Sequence, residues 1–263
     1  MRRQIIILKA RPHCKINLGL HVVGRRPDGY HNLETIFIPI HAISDSIEIV
    51  ESDAPRMIQQ GIELDNAPED NLCMKAWQLM HDRFGVPPVT IRLKKGIPSG
   101  AGLGGGSSDA AFTLKMLNKK YVQVDNRTLK ELAVQLGADC PFFLGDNIAY
   151  ATGIGERLHK CPEPNLAGYR IVIEMPDGEQ VSTKEAYAGL NPDLFSRKRP
   201  KLREAVLHPV EEWKSLIVND FEASVFPLHP AIAALKEDMY RRGAVYASMT
   251  GSGAAVFGIF KCS

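Results

Sequence analysis

PSGAGLGGGSSDAA, residues 98–111, holds five glycines within seven positions and leads into residues with helical apolar spacing. Glycine has no Cβ, so such a run lets backbone approach a ligand closely and disfavours the interior of a helix or strand. Residues 109–117 are predicted to be helical. The first amides of a helix are unpaired and carry partial positive charge, which suits polyphosphate. Ser107 and Ser108 add hydroxyl donors. A flexible linker is the alternative, but the run lies between a predicted strand at residues 89–93 and an amphipathic helix.

Three phosphate-binding patterns compete for this stretch. A P-loop requires G-x-x-x-x-G-K-[ST], whereas Gly106 follows Gly105 here and no lysine comes next. The dinucleotide pattern G-x-G-x-x-G is met by Gly100, Gly102 and Gly105. It also wants an acidic residue about 20 positions on, which Asp125 supplies. That loop should open directly from an apolar strand, yet Lys94-Lys95-Gly96-Ile97-Pro98 intervenes. The next strand candidate, residues 121–124, is very short.

Upstream, Cys14, Ile16, Leu18, Leu20 and Val22 alternate with Lys15, Asn17, Gly19 and His21. This predicts a half-buried strand with a polar face. Arg25-Arg26-Pro27-Asp28-Gly29 reads as a turn, and strands are expected at residues 35–40 and 46–50. Leu72, Ala76, Leu79, Met80 and Phe84 mark a helix that Gly85 ends. Downstream, a helix at 128–136 is stopped by Gly137, and strands are expected at 148–152 and 169–175. Residues 192–200 read as a polar loop, with Arg197-Lys198-Arg199 solvated beside Pro200. Helices are expected near 210–218 and 231–241. Strands at 244–249 and 254–260 flank the turn Thr250-Gly251-Ser252-Gly253. Pro162 and Pro164 mark a boundary near 161–165. Strands and helices do not alternate strictly, so the class is α+β.

At 263 residues, 44% apolar and 24% charged, the composition is that of a soluble globular protein of one large or two modest domains. A net charge of +2 argues against a general nucleic-acid binder. Cys14, Cys73, Cys140, Cys161 and Cys262 are odd in number and form no C-x-x-C pair. They argue against a disulfide framework or a zinc site and for a reducing cytoplasm. His21, His31 and His41 recur every ten residues, a spacing that fits no metal site on a single strand or helix. The apolar run at residues 5–8 is too short for a signal peptide and reads as a first strand. No apolar stretch approaches membrane-spanning length.

Residues 98–111 resemble the phosphate loop of the GHMP kinase superfamily, a P-x-x-x-G-L-G-rich run followed by Ser-Ser and a helix. Two further stations fall in the expected order: Lys15-Ile16-Asn17-Leu18 near the N-terminus and Thr250-Gly251-Ser252-Gly253-Ala254 near the C-terminus. KINLGLHVVGRRPDGYHNLETIF, residues 15–37, and LGADCPFFLGDNIAYATGIGE, residues 136–156, resemble one branch of it. The resemblance covers most of the chain and is weakest at residues 51–62 and 189–215. It implies a two-domain α+β GHMP kinase fold. Residues 1–162 would form a ribosomal protein S5 domain 2-like domain and residues 163–263 a ferredoxin-like domain. It further implies ATP- and Mg²⁺-dependent phosphorylation of an alcohol, the 2-hydroxyl of 4-(cytidine 5'-diphospho)-2-C-methyl-D-erythritol, in the non-mevalonate isoprenoid route. The alternative is a homoserine- or mevalonate-type GHMP kinase. Two departures stand out. His13-Cys14 precedes Lys15 where relatives carry small or proline residues, a change expected to be tolerated. The chain also reaches Ser263 soon after the last glycine turn, so the final edge of the second domain is expected to be abbreviated.

The resemblance also assigns roles. Pro98, Ser99, Gly100, Ala101, Gly102, Leu103, Gly104, Gly105, Gly106, Ser107 and Ser108 would bind ATP, with Ser107 and Ser108 the candidates for Mg²⁺. Asp139 would take the alcohol proton and Lys15, expected beside it, would lower the pKa of that alcohol. On local sequence alone, Asp139 before Cys140-Pro141 reads better as a helix N-cap; Lys15 has the plain reading of an exposed strand lysine, but it shares one face of an otherwise apolar strand with Asn17, which suggests a polar site there. Asn17, Tyr30, His31, Thr183 and Tyr187 would bind substrate, the aromatic rings cradling the cytosine.

Overall fold

The computed structural model describes residues 7–63, 67–196 and 198–262. Its strands are β1 (Leu8–Ala10), β2 (His13–Arg25), β3 (His31–Ser44), β4 (Ser46–Glu51), β5 (Arg56–Gly61), β6 (Val89–Lys95), β7 (Ala149–Thr152), β8 (Arg157–Lys160), β9 (Tyr169–Glu174), β10 (Tyr246–Met249) and β11 (Val256–Lys261). The helices are α1 (Leu72–Phe84), α2 (Gly105–Leu117), α3 (Asn126–Leu136), α4 (Thr183–Ala188), α5 (Leu202–Ala205), α6 (Trp213–Leu216), α7 (Glu222–Val225) and α8 (Pro230–Arg241). Residues 5 and 6 of the expected first strand lie outside the described residues, as does Arg197.

Spatial proximity divides the chain into two units. The first comprises Met1–Cys14, Pro39–Ser99 and Gly104–Asp146; the second comprises Lys15–Ile38, Gly100–Leu103 and Asn147–Ser263. In the first, strands run in the order β1-β4-β6-β5, with β4 antiparallel and β5 parallel to β6. A parallel pair needs a long crossover, and α1 supplies it between β5 and β6. Val89, Ile91 and Leu93 of β6 are buried while Arg92 and Lys94 face solvent. Helix α1 ends at Gly85 in the left-handed conformation (φ 69°), where glycine carries no Cβ penalty. The second unit holds the sheet β10-β11-β9 and the antiparallel pairs β3–β7 and β7–β8. Leu20, Val22, Phe221, Val225, Ile232, Met249 and Val256 form its apolar core.

Several expectations change. The alternation along β2 is present, but residues 13–22 are buried on both faces, Lys15, Asn17 and His21 included. Helix α2 begins at Gly105, four residues before the predicted start, so two glycines form its first turn. Residues 118–122 make a π-helical turn instead of a strand, and Asp125 caps α3 by accepting from Thr128 N at 2.8 Å. That removes the acidic residue the dinucleotide reading required. Strands β5 and β8 were not foreseen, and the predicted helix at 210–218 is a 3-10 turn (Val210–Glu212) followed by the single turn α6. Arg199 is not solvated. Its guanidinium grips Asp220 with two bonds of 2.5 and 2.8 Å, and the same carboxylate accepts from Val22 N at 2.7 Å.

Candidate active site

The glycine-rich run contributes to both units. In the second unit, Gly100 O accepts from Ala254 N at 2.9 Å and Ala101 O from Ala255 N at 3.2 Å. Lys15 N donates to Leu103 O at 3.0 Å. Gly102 has φ 71°, and a Cβ there would lie 2.1 Å from Thr250 O. Glycine at 102 is therefore demanded by the packing of this loop on the Thr250–Gly253 turn. Ala101 and Leu103 bury their side chains and offer a ligand only backbone. Lys15, 3% exposed, donates from Nζ to Asn17 Oδ1 at 2.5 Å and Gly102 O at 2.9 Å. Asn17 passes its other amide end to Thr35 Oγ1 at 2.9 Å and its backbone N–H to Thr250 Oγ1 at 2.9 Å. Asn17, one of the expected substrate residues, is buried and holds the Lys15 ammonium.

In the first unit, Gly104 caps α2 in the left-handed conformation (φ 72°), and no side chain caps the first turn. A Cβ on Gly105 would come within 2.9 Å of Ile97 and 3.3 Å of Lys95 Nζ. Gly106 differs: it is exposed, and its nearest neighbour would be Leu72 Cδ1 at 3.7 Å, an ordinary contact. The fold therefore has no need of glycine at 106. Ser108 is fully buried and its hydroxyl donates to His13 O at 2.6 Å.

Beneath α2, Lys95 is buried between two carboxylates. Its Nζ donates to Asp109 Oδ2 at 2.8 Å and pairs with Asp45 Oδ2. Asp45 Oδ1 accepts from Gly96 N at 2.6 Å and Ile97 N at 2.8 Å, shaping the chain that enters the glycine run. Burial, reinforced by Asp45 and opposed by Lys95, pushes Asp109 up to about 8. Asp109 Oδ1 has no hydrogen-bond partner.

Asp139 is half-buried in the turn after α3, its carbonyl accepting from Phe142 N at 3.1 Å. The 3-10 turn that follows, Phe142–Leu144, has Pro141 at its cap position and no side-chain cap bond.

Among the expected substrate residues of the second unit, His31 and Tyr187 stack with centroids 4.8 Å apart and planes 18° apart. Phe195 meets the edge of His31 at 5.8 Å and Phe221 that of Tyr187 at 4.8 Å. Thr183 Oγ1 lies 3.3 Å from Ser252 Oγ, linking α4 to the glycine turn. Tyr30 is exposed and outside this ring cluster.

Residues 71–147 match the family profile described as GHMP kinases N terminal domain, and residues 201–261 the one described as GHMP kinases C terminal. The chain belongs to the GHMP kinases. It is 48% identical over 255 residues to a 4-diphosphocytidyl-2-C-methyl-D-erythritol kinase of Bacteroides thetaiotaomicron, covering 95% of this chain and 91% of that protein. A protein of the same name from Porphyromonas gingivalis is 47% identical over 253 residues, with 95% and 91% covered. A crystal structure of a 4-(cytidine 5'-diphospho)-2C-methyl-D-erythritol kinase matches with a TM-score of 0.79 at 35% identity, covering 95% of this chain and 89% of that one. A homoserine kinase from Cytophaga hutchinsonii matches at 0.69 with 17% identity, over 100% of this chain and 87% of that one. That likeness is one of fold.

In this GHMP kinase the sequence reading missed Asp45, Lys95, Asp109 and Phe195. Lys95 carried a signal: it has the parity of Val89, Ile91 and Leu93, the buried face of β6. A lysine on that face needs a buried anion. Asp45 and Asp109 carry no local signal, because their pairing spans 50 and 14 residues.

Proposed function

We propose that this kinase transfers the terminal phosphoryl group of ATP to the 2-hydroxyl of 4-(cytidine 5'-diphospho)-2-C-methyl-D-erythritol, in the cytoplasm, with Mg²⁺. One observation carries the nucleotide half: α2 opens on uncapped glycines, and Gly106 is exposed with room for a side chain. A glycine the fold does not require leaves the approach of a ligand as its reason. The residues fit a polyphosphate, since the N-cap of α2 is Gly104, which has no side chain to engage the first amides of the helix. Bound ATP supplies the phosphoryl group. The near-half identity to kinases of that name, set against 17% to a homoserine kinase, supports the cytidylyl substrate.

This chain's own groups carry the remaining work. The amides of Gly105, Gly106 and Ser107 would hold phosphate oxygens, and Ser107 is the hydroxyl to serve Mg²⁺. Asp139 would accept the proton of the 2-hydroxyl, and Lys15, oriented by Asn17 and Gly102 O, would offset the charge that develops there. The outer face of the His31–Tyr187 stack would receive the cytosine, with Thr183 and Tyr30 as polar contacts. We also propose residues 162–163 as the boundary between the two family modules, since the profile matches fall on either side of it. ADP release measured against a panel of the cytidylyl alcohol, homoserine and mevalonate tests the reading. Turnover is expected with the cytidylyl alcohol alone; turnover with either aliphatic alcohol instead would refute it.

A further inference from the structure

Three side chains outside the machinery described above converge within the first unit. His13 opens β2, His41 lies near the end of β3, and Asp146 follows the 3-10 turn Phe142–Leu144. His13 Nε2 lies 3.3 Å and His41 Nε2 3.2 Å from the same oxygen, Asp146 Oδ1. One donor atom from each residue falls within a common 4.8 Å. The His13 and His41 rings are 4.5 Å apart.

The state of His13 is decided by its surroundings. Its side chain is 4% exposed, and its ring meets Phe112 edge-on at 5.7 Å and Phe143 at 5.4 Å. Nδ1 lies 2.9 Å from Cys14 O, an acceptor only, so Nδ1 carries the proton and donates. Nε2 then presents a lone pair toward His41 and Asp146, and it is buried without a hydrogen-bond partner. A histidine whose other nitrogen donates to a backbone carbonyl is the arrangement that orients a metal ligand. A buried lone pair without a partner has a cost that a cation would remove.

We propose that His13, His41 and Asp146 form a binding site for a divalent transition-metal ion of the Zn²⁺ class. Two imidazoles and a carboxylate form a donor set for Zn²⁺ or Co²⁺, whereas Mg²⁺ prefers oxygen ligands alone. Ligands at about 2.0–2.1 Å around a tetrahedral ion stand roughly 3.3–3.4 Å from one another, and both nitrogen-to-oxygen separations here match that edge. His13 is the fixed ligand. His41 and Asp146 are 60% and 64% exposed, so water can complete the shell and the ion has a path in. Lys115, whose charge acts on both His13 and Asp146, is the opposing cation. Bound metal would tie three chain segments together, with His13 O already held by Ser108. The five cysteines contribute no ligand, and the proposal does not depend on the kinase substrate.

Tag-free protein stripped with a chelator is titrated with ZnCl₂ by calorimetry and with CoCl₂ by visible absorption. One equivalent should bind, with the intense d–d bands of tetrahedral Co²⁺, and excess Mg²⁺ should not displace it. His41→Ala and Asp146→Ala change exposed side chains and should each weaken Zn²⁺ by at least about tenfold. Cys262→Ser, which removes the exposed thiol, should change nothing. Zn²⁺ should raise the melting temperature of wild type and Cys262→Ser but not of the two ligand variants. Equal Zn²⁺ affinity in His41→Ala, loss of binding in Cys262→Ser, or a weak octahedral Co²⁺ spectrum would each overturn the site.

Discussion

Asp139 and Lys15 show how much a single residue's environment adds to its identity. Asn caps a helix about as well as Asp, so even a capping role would let Asp139→Asn keep the melting temperature near wild type. As the proton acceptor, the same change should lower kcat by about 100- to 10,000-fold. Lys15→Met should be comparably damaging. The double variant should lose far less than the product of the two, since groups acting as a unit are non-additive. Near-normal turnover in Asp139→Asn would remove the mechanism. Asp109 makes a prediction of a different kind. Its folded pKa of about 8 lies above the ordinary value near 3.9, so the folded state binds the extra proton between those limits. Stability contributed by this group is therefore present at low pH and falls as pH rises from about 4 to 8. Lys95 is raised and titrates above that window. Urea unfolding of wild type and Asp109→Asn between pH 5 and 7.5 should show the wild-type advantage shrinking by about 1 kcal/mol per pH unit. A constant difference across that range would show that Asp109 does not titrate there.

At the scale of elements, helix α2 separates glycines kept by packing from one kept by a ligand. Gly102 and Gly105 have no room for a Cβ, and Gly104 sits at positive φ. Gly106 has room and ordinary helical backbone. Gly106→Ala should hold or raise stability, because alanine gains up to about 1 kcal/mol over glycine inside a helix. Gly106→Val should keep the fold and weaken ATP at least about tenfold by crowding the phosphates. Calorimetry with ATP and a melting curve on the same samples separate the two effects. Undiminished affinity in folded Gly106→Val would move the nucleotide elsewhere.

Over the whole molecule, the cysteines test the expectation of a fold without disulfides. All five are free; Cys14, Cys73, Cys140 and Cys161 are buried, and Cys262 is exposed. Burial raises the thiols of Cys73, Cys140 and Cys161, with Cys140 pushed up to about 12. Thiolate is the reactive form, so iodoacetamide should add once to native protein, at Cys262, and five times after unfolding, read by intact mass. The melting temperature should be the same with and without reductant. Native labelling at a buried cysteine would mean that the core there opens readily.

The glycine run, the alternation of β2 and the caps of α1 and α3 are local patterns, and each was legible because its cause lies within a few residues of itself. So was the family, since its motifs are contiguous and occur in order. What the sequence could not carry are the groups whose meaning is a distant partner. Lys95 reads as an odd charge until Asp45 and Asp109 surround it. Arg199 reads as solvated until Asp220 claims it. The link from Asn17 to Lys15 and Thr35 appears only in the folded chain. His13, His41 and Asp146 have no common spacing and meet only because β2, β3 and the chain after α3 converge. Hydropathy and spacing placed the apolar faces of the main strands and helices and the glycine stops of α1 and α3. Only the tertiary structure decided which buried charges meet, because electrostatic pairing depends on distance in space.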